Sequence, residues 1–276
     1  MATTTPEVGK SVRAAGVETN YHEAGSGAPV ILIHGSGPGV SAYANWRLAI
    51  PDLAEKLHVF AYDQLGFGYS EIPANHQYGL ERWVEHLVEF MRAVGLERAH
   101  LVGNSMGAGV ALAAAVKYPQ MVDRLVLMGA MGVNFPITDG LDAVWGYEPS
   151  VPNMKGLIDL FAYNRALVTD ELAEIRYRAS IRPGLQEAFS SMFPAPRQHG
   201  VEDMARYEAQ ISKLQNPSLV VHGREDRVIP LENSFKLLKL LPNAQLHVFG
   251  HCGHWTQIEH AKAFNRIVRD FLAEDA

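Results

Sequence analysis

Three glycine-framed stretches carry the side chains most able to do chemistry: Gly103-Asn104-Ser105-Met106-Gly107, Gly223-Arg224-Glu225-Asp226 and Gly250-His251-Cys252-Gly253-His254. The first reads G-x-S-x-G. His100 to Val102 before it look like the end of a buried strand, and Ala108 to Val116 after it form a small-residue helix able to lie close to a sheet. A serine on so sharp a strand-to-helix turn leaves little room for neighbouring side chains, hence the flanking glycines. The turn also leaves free N–H groups at the helix start, where an oxyanion can be held. An ordinary glycine-rich turn satisfies the same pattern, so the other two stretches decide.

A serine hydroxyl needs a base, and the base needs an orienting acid. The strand Ser218 to His222 runs into Asp226, and the strand Ala244 to Phe249 runs into His254. The order Ser105, Asp226, His254, each at a strand end, is the one a nucleophile elbow requires in an α/β-hydrolase. Glu225 and His251 are the competing acid and base. Asp226 is preferred for its Gly-x-x-Asp-x-x-x-Pro setting, and His254 because Gly253 precedes it and a helix begins after it. A metal reading of His251, His254 and His260 lacks a completing cysteine or carboxylate at ligand spacing, so no metal is expected.

The elements that must position these residues alternate. Ser11–Ala15 and Val17–Ala24 read as a hairpin, and Ser26 to Pro29 as a turn. Val30–Ile33, His58–Tyr62, His100–Val102 and Arg124–Gly129 read as strands, with helices expected over Asn45–Leu57 and Leu80–Val94. This predicts an α/β fold with a mostly parallel central sheet and helices on both faces. Residues 134–206 contain no strand-like run but many aromatics, methionines and X-Pro turns, and are expected to form a helical cap between core segments 1–133 and 207–276. The last helix is expected over Thr256–Leu272.

A net charge of −6 over 276 residues argues against a nucleic-acid partner or an anionic membrane surface. Cys252 is the one cysteine, which excludes an intrachain disulfide and fits a reducing compartment. Met1 to Lys10 is polar and no run of about 18 apolar residues occurs. A cytoplasmic protein without a membrane partner is therefore expected.

The loop His34-Gly35-Ser36-Gly37-Pro38-Gly39 follows the first central strand and can supply a second oxyanion donor. Backbone N–H groups of Ser36 and Met106 are the pair expected there, with His34 bracing the loop. Arg176 falls on the apolar stripe Leu172, Ile175, Ala179 of the cap, whereas Glu174 and Arg178 can pair in solvent. An arginine in such a stripe either snorkels, pairs with a buried carboxylate, or clamps a carboxylate of the substrate.

From His34 to Arg47, and at Gly103–Gly107, Gly223–Pro230 and Gly253–Trp255, the chain resembles the meta-cleavage product hydrolases. These are C–C bond hydrolases of the α/β-hydrolase fold, and the chain is most like their monocyclic-pathway members, the 2-hydroxymuconate-semialdehyde hydrolases and alkyl-substituted relatives. The resemblance spans the full length. It implies a Ser105, Asp226, His254 triad, oxyanion donors at Ser36 and Met106, Arg176 on the dienoate carboxylate, and Asn45, Asn104 and Trp255 around the dienoate end. It implies no cofactor, a small dienoate substrate and a homo-oligomer. Met131, Phe135, Leu141, Trp145, Phe161, Val228 and Ile229 are the candidates for an apolar acyl pocket, and the bulk of Met131 and Trp145 suggests a small C6 substituent. The rival functions are a carboxylesterase or lactonase with the same triad, and a ligand-binding protein on this fold.

Overall fold

The computed structural model describes residues 5–73 and 77–273, so the first four residues of the polar N-terminal stretch lie outside it. The first half of the chain runs β1 (Lys10–Ala14), β2 (Val17–Ala24), β3 (Ala28–Ile33), α1 (Ala42–Trp46), α2 (Ile50–Leu53), β4 (Leu57–Tyr62), α3 (Leu80–Ala93), β5 (Ala99–Asn104), α4 (Met106–Lys117) and β6 (Val122–Met128). Between β6 and β7 lie α5 (Asp139–Trp145), α6 (Val151–Phe161), α7 (Asp170–Ser180), α8 (Leu185–Met192), α9 (Gln198–Met204) and α10 (Glu208–Ile211). The chain closes with β7 (Ser218–Gly223), α11 (Leu231–Leu240), β8 (Ala244–Phe249), α12 (Thr256–Glu259) and α13 (Ala261–Ala273).

The eight strands form one sheet in the order β1-β2-β4-β3-β5-β6-β7-β8. β2 runs antiparallel to both its neighbours, and every pairing from β4 to β8 is parallel. The period-2 alternation of strands splits the core in two. Ile31, Ile33, Leu101, Leu125 and Val220 face α3, α4 and α11. Val30, Leu32, Val102, Val126 and Leu219 face α1, α2 and α13. Central strands covered on both faces must be apolar throughout, which is why β3 reads Val-Ile-Leu-Ile without interruption.

Three expectations need correction. The helix over Asn45–Leu57 is two short helices, and Leu57 belongs to β4. Pro51, in the first turn of α2, can neither donate to the preceding turn nor fit its ring against it, so α1 stops at Trp46. The turn over Ser26–Pro29 ends earlier than expected, because β3 starts at Ala28; Pro29 is tolerated there as an end residue of the strand. The last helix is broken at His260, whose backbone leaves the helical region and whose ring stacks on Phe249 at 4.9 Å.

α4 packs against the sheet closely enough that most of its residues are fully enclosed. A Cβ on Gly107 would lie 2.3 Å from the Ile33 carbonyl oxygen and 2.6 Å from that of His34. Gly107→Ala is therefore expected to cost about 1–3 kcal/mol, read as a fall in Tm on thermal unfolding.

Candidate active site

The end of β5 turns into α4 through a single residue in an uncommon conformation. Ser105 has φ 54° and ψ −117°, a region that non-glycine residues occupy only when the surroundings impose it. Ser105 N–H donates to Met128 O at 2.8 Å, and Ser105 O accepts from Ala108 N at 3.0 Å and Met131 N at 3.2 Å. These bonds lock the turn to β6 and the loop after it. Ser105 therefore stands clear of the helix, and the Met106 N–H that follows it has no protein partner among the described residues.

Asp226 is enclosed after β7. Its Oδ1 accepts from Val228 N at 2.7 Å and Ile229 N at 3.0 Å, and its Oδ2 lies 2.7 Å from His254 Nδ1. Burial opposes its charge, but the neighbouring His254 and these hydrogen bonds win and hold the carboxyl below its usual range. The Asp226 contact assigns the His254 proton to Nδ1 and leaves Nε2 as the basic nitrogen. His254 N–H donates to Phe161 O at 2.7 Å, so α6 fixes the base from the far side. Ser105 and His254 line one cavity of about 280 Å³.

The competitors are placed elsewhere. Glu225 pairs with Arg224 and accepts from Cys252 N at 2.9 Å, bracing one loop against the other. His251 is exposed, with Nδ1 3.1 Å from the Tyr163 hydroxyl. His222, which the sequence reading passed over, sits fully buried behind Asp226. Its Nε2 donates to Ile229 O at 3.0 Å and its Nδ1 accepts from the Ser234 hydroxyl at 2.7 Å, tying the acid's turn to α11. Among the described residues no group of three or more His, Cys, Asp or Glu is arranged to hold a metal ion.

The loop after β3 lies against the elbow. A Cβ on Gly35 would fall 2.9 Å from Asn104 Oδ1 and 3.2 Å from Ser105 Cβ. His34 Nδ1 donates to Gly35 O at 2.7 Å and its Nε2 accepts from Gln64 N at 3.0 Å. Full burial pushes its pKa down to about 4, so it is a neutral brace. Ser36 Oγ accepts from Trp145 Nε1 at 2.9 Å, while the Ser36 N–H has no protein partner among the described residues.

Away from the elbow, Leu172, Ile175, Arg176 and Ala179 of α7 all line the cavity. The stripe read from the sequence is thus a cavity wall, and Glu174 and Arg178 pair outside it at 2.7 Å. Arg176 has one long contact, 3.4 Å to Pro38 O, and no ion pair among the described residues. Its burial lowers its pKa, as expected for a cation short of anions. Asn45 Nδ2 donates to Asn104 Oδ1 at 3.3 Å, leaving Asn45 Oδ1 and Asn104 Nδ2 buried without partners. Both asparagines and Trp255 line the cavity.

Of the acyl-pocket candidates, Leu141, Phe161 and Val228 reach the cavity, joined by Val144. Met131, Phe135, Trp145 and Ile229 do not; they are buried in the core. Trp145 stacks flat on Phe193 at 4.3 Å and turns only its N–H toward Ser36. The argument for a small C6 group from the bulk of Met131 and Trp145 therefore loses its ground. Glu7, Tyr43 and Arg47, none of them expected, also line the cavity. Tyr43 and Arg47 lie beside Asn45 within the stretch His34 to Arg47, where the sequence can point to them; nothing in the spacing around Glu7 points to it.

The chain matches the sequence profile of the family described as alpha/beta hydrolase fold over residues 28–261. The protein belongs to that family. This alpha/beta hydrolase is 58% identical to the 2-hydroxymuconate semialdehyde hydrolase of Pseudomonas sp. strain CF600, over 98% of this chain and 95% of that one. It is 55% identical to the 2-hydroxy-6-oxo-2,4-heptadienoate hydrolase of Pseudomonas putida, over the full length of both. A solved meta-cleavage product hydrolase from Pseudomonas fluorescens IP01, complexed with acetates, superposes with a TM-score of 0.96 at 57% identity, covering 97% of this chain and 98% of that one. Within the alpha/beta hydrolases, the chain is a member of the meta-cleavage product hydrolases.

The neutral His34 brace makes a prediction. Its folded pKa lies below its unfolded value of 6.5, so its contribution to stability is present above that value and is lost as pH falls toward about 4. The stability advantage of the wild type over His34→Gln should shrink as pH is lowered across that interval, measured by urea unfolding at each pH.

Proposed function

We propose that this alpha/beta hydrolase cleaves a carbon–carbon bond in a 2-hydroxy-6-oxohexa-2,4-dienoate, either 2-hydroxymuconate semialdehyde or a 6-alkyl analogue. Water is consumed, and the products are 2-hydroxypenta-2,4-dienoate and a small carboxylic acid. The observation that carries this reading is one cavity lined by Ser105, by His254 with the buried Asp226 behind it, and by an arginine, Arg176, that lacks an ion-pair partner among the described residues. An enzyme for neutral esters has no use for that arginine. The names of the two full-length relatives support the same substrate class.

The chemistry is hard because carbon must leave, and a simple carbanion is too basic. Moving a proton from the 2-hydroxyl to the dienoate carbon chain creates a ketone at C2, which can take up the electrons of the breaking bond. Arg176 holds the carboxylate by bidentate contacts. Asn45 and Asn104, with their unpartnered amide atoms, and Trp255 hold the 2-oxy end. The C6 carbonyl then points to the free N–H groups of Ser36 and Met106, which stabilise the tetrahedral oxyanion. His254, oriented by Asp226, removes the proton from the attacking O–H, whether of Ser105 or of water; the electrons of the breaking carbon–carbon bond pass into the C2 ketone, and the proton ends on the resulting C2 enolate oxygen as 2-hydroxypenta-2,4-dienoate leaves. The helical segment 134–206 serves as the cap that closes this cavity. Leu141, Val144, Phe161 and Val228 form the acyl wall, and the names of the two relatives, a semialdehyde hydrolase and a 6-oxo-heptadienoate hydrolase, support hydrogen or methyl at C6 over phenyl.

Ser105→Ala is expected to lower kcat on the order of 10³-fold or more, followed as loss of the yellow dienolate absorbance. Arg176→Ala removes charge-assisted hydrogen bonds worth about 1.5–3 kcal/mol, so kcat/KM for the dienoate should fall roughly 10- to 150-fold. If a neutral ester proved the better substrate and Arg176→Ala left dienoate turnover untouched, the carboxylesterase reading would replace this one. A panel of 6-H, 6-methyl and 6-phenyl substrates checks the acyl side, and a preference for 6-phenyl would overturn that assignment.

A further inference from the structure

Among the described residues lining the cavity, Glu7 is the one carboxylate, and it enters from a segment far from the elbow in sequence. It is built in rather than draped over. Its carbonyl oxygen accepts from Asn20 Nδ2 at 3.0 Å and from His22 Nε2 at 3.1 Å. The next turn is held in the same way, with Gly9 N–H donating to Asn20 Oδ1 at 2.8 Å. Asn20 is in turn anchored through Nδ2 to the buried Asp63 at 2.8 Å. The Glu7 carboxylate itself accepts from the hydroxyl of Ser41, the N-cap of α1.

The same cavity wall carries two guanidinium groups, Arg176 and Arg47, and neither has an ion-pair partner among the described residues. Their charges repel each other, and Glu7 is the opposing charge that Arg176 feels most strongly. A pocket end with two cations and nothing to offset them would hold any carboxylate tightly. That includes the dienoate product, which keeps the substrate's carboxylate after cleavage.

We propose that Glu7 is an affinity-setting residue: its carboxylate opposes bound anions at the Arg176 and Arg47 end of the cavity, weakening carboxylate binding enough for the product to leave. This rests on the role of Arg176 as the carboxylate clamp. The geometry explains why the anion is supplied by an internal, anchored side chain. A fixed charge lowers the affinity for every carboxylate by a constant factor and does not fill the space the ligand needs.

The test uses the full chain and hexa-2,4-dienoate, a monocarboxylate that cannot be cleaved, as the probe in calorimetric titration and as a competitive inhibitor. Glu7→Gln retains an acceptor for the Ser41 hydroxyl and removes the charge. It should bind the probe roughly 3- to 10-fold more tightly, with the gain shrinking as salt is raised, and KM for the dienoate substrate should fall in parallel. Glu7→Asp, which keeps the charge, should bind the probe as the wild type does. Unchanged or weaker binding by a folded Glu7→Gln protein overturns the proposal, and so does loss of the fold in both Glu7→Gln and Glu7→Ala, which would make Glu7 a structural anchor. Arg176→Ala separates the two levels. If it binds the probe as well as the wild type, the clamp reading itself fails; if it loses the probe while Glu7→Gln is unaltered, only the role of Glu7 fails.

Discussion

The site depends on one backbone residue held out of the conformations a serine prefers. Ser105 keeps φ 54° because Met128 O, Ala108 N and Met131 N bind its peptide groups from three directions. Those partners belong to β6, α4 and the loop after β6, so the turn is stable only when the centre of the sheet is assembled. The close approach at Gly35, Gly103 and Gly107 follows from the same constraint: β3, β5 and α4 meet within van der Waals reach around the nucleophile. Local strain is thus maintained by the most thoroughly buried part of the molecule, where the surroundings can least relax.

Around that fixed point the polar groups divide into those already satisfied and those left open. Asp226 has its donors, His34 and His222 are neutral braces with both ring nitrogens engaged, and Glu225 links two loops. The Ser36 and Met106 N–H groups, two amide atoms of Asn45 and Asn104, and the Arg176 guanidinium lack comparable partners. Buried polar groups without partners are costly. Their concentration along one cavity means that a ligand with a carbonyl at one end and a carboxylate at the other recovers that cost on binding.

What the sequence makes legible follows from how local each signal is. Ser105, Asp226 and His254 stand out because each sits in a short glycine-bearing loop after an apolar strand, and the alternation of strands and helices can be read around them. Arg176 stands out because helical periodicity places it on an apolar stripe. Met131 and Trp145 are expected at the cavity as apolar residues after a strand end and in the cap, but apolar character marks a residue as buried and not which layer it is buried in. Glu7 and His222 give no signal, since their meaning lies in placement across the chain: Glu7 on the same cavity wall as Arg176, and His222 against the turn that carries Asp226. Pro51 is a local signal of the same kind: a helix breaker divides Asn45–Leu57, as the two short helices show.

The hydrogen bond from His254 N–H to Phe161 O joins backbone to backbone. No side chain takes part at either end, and a Cβ at Gly253 would fall 2.4 Å from the same carbonyl oxygen. His254, the proposed base, is therefore registered against α6 by its main chain, with the Phe161 ring stacked on its imidazole at 5.9 Å. The backbone bond would survive any exchange of the Phe161 side chain, whereas the ring contact would not, so a change of the acyl wall at this one position also reaches the imidazole.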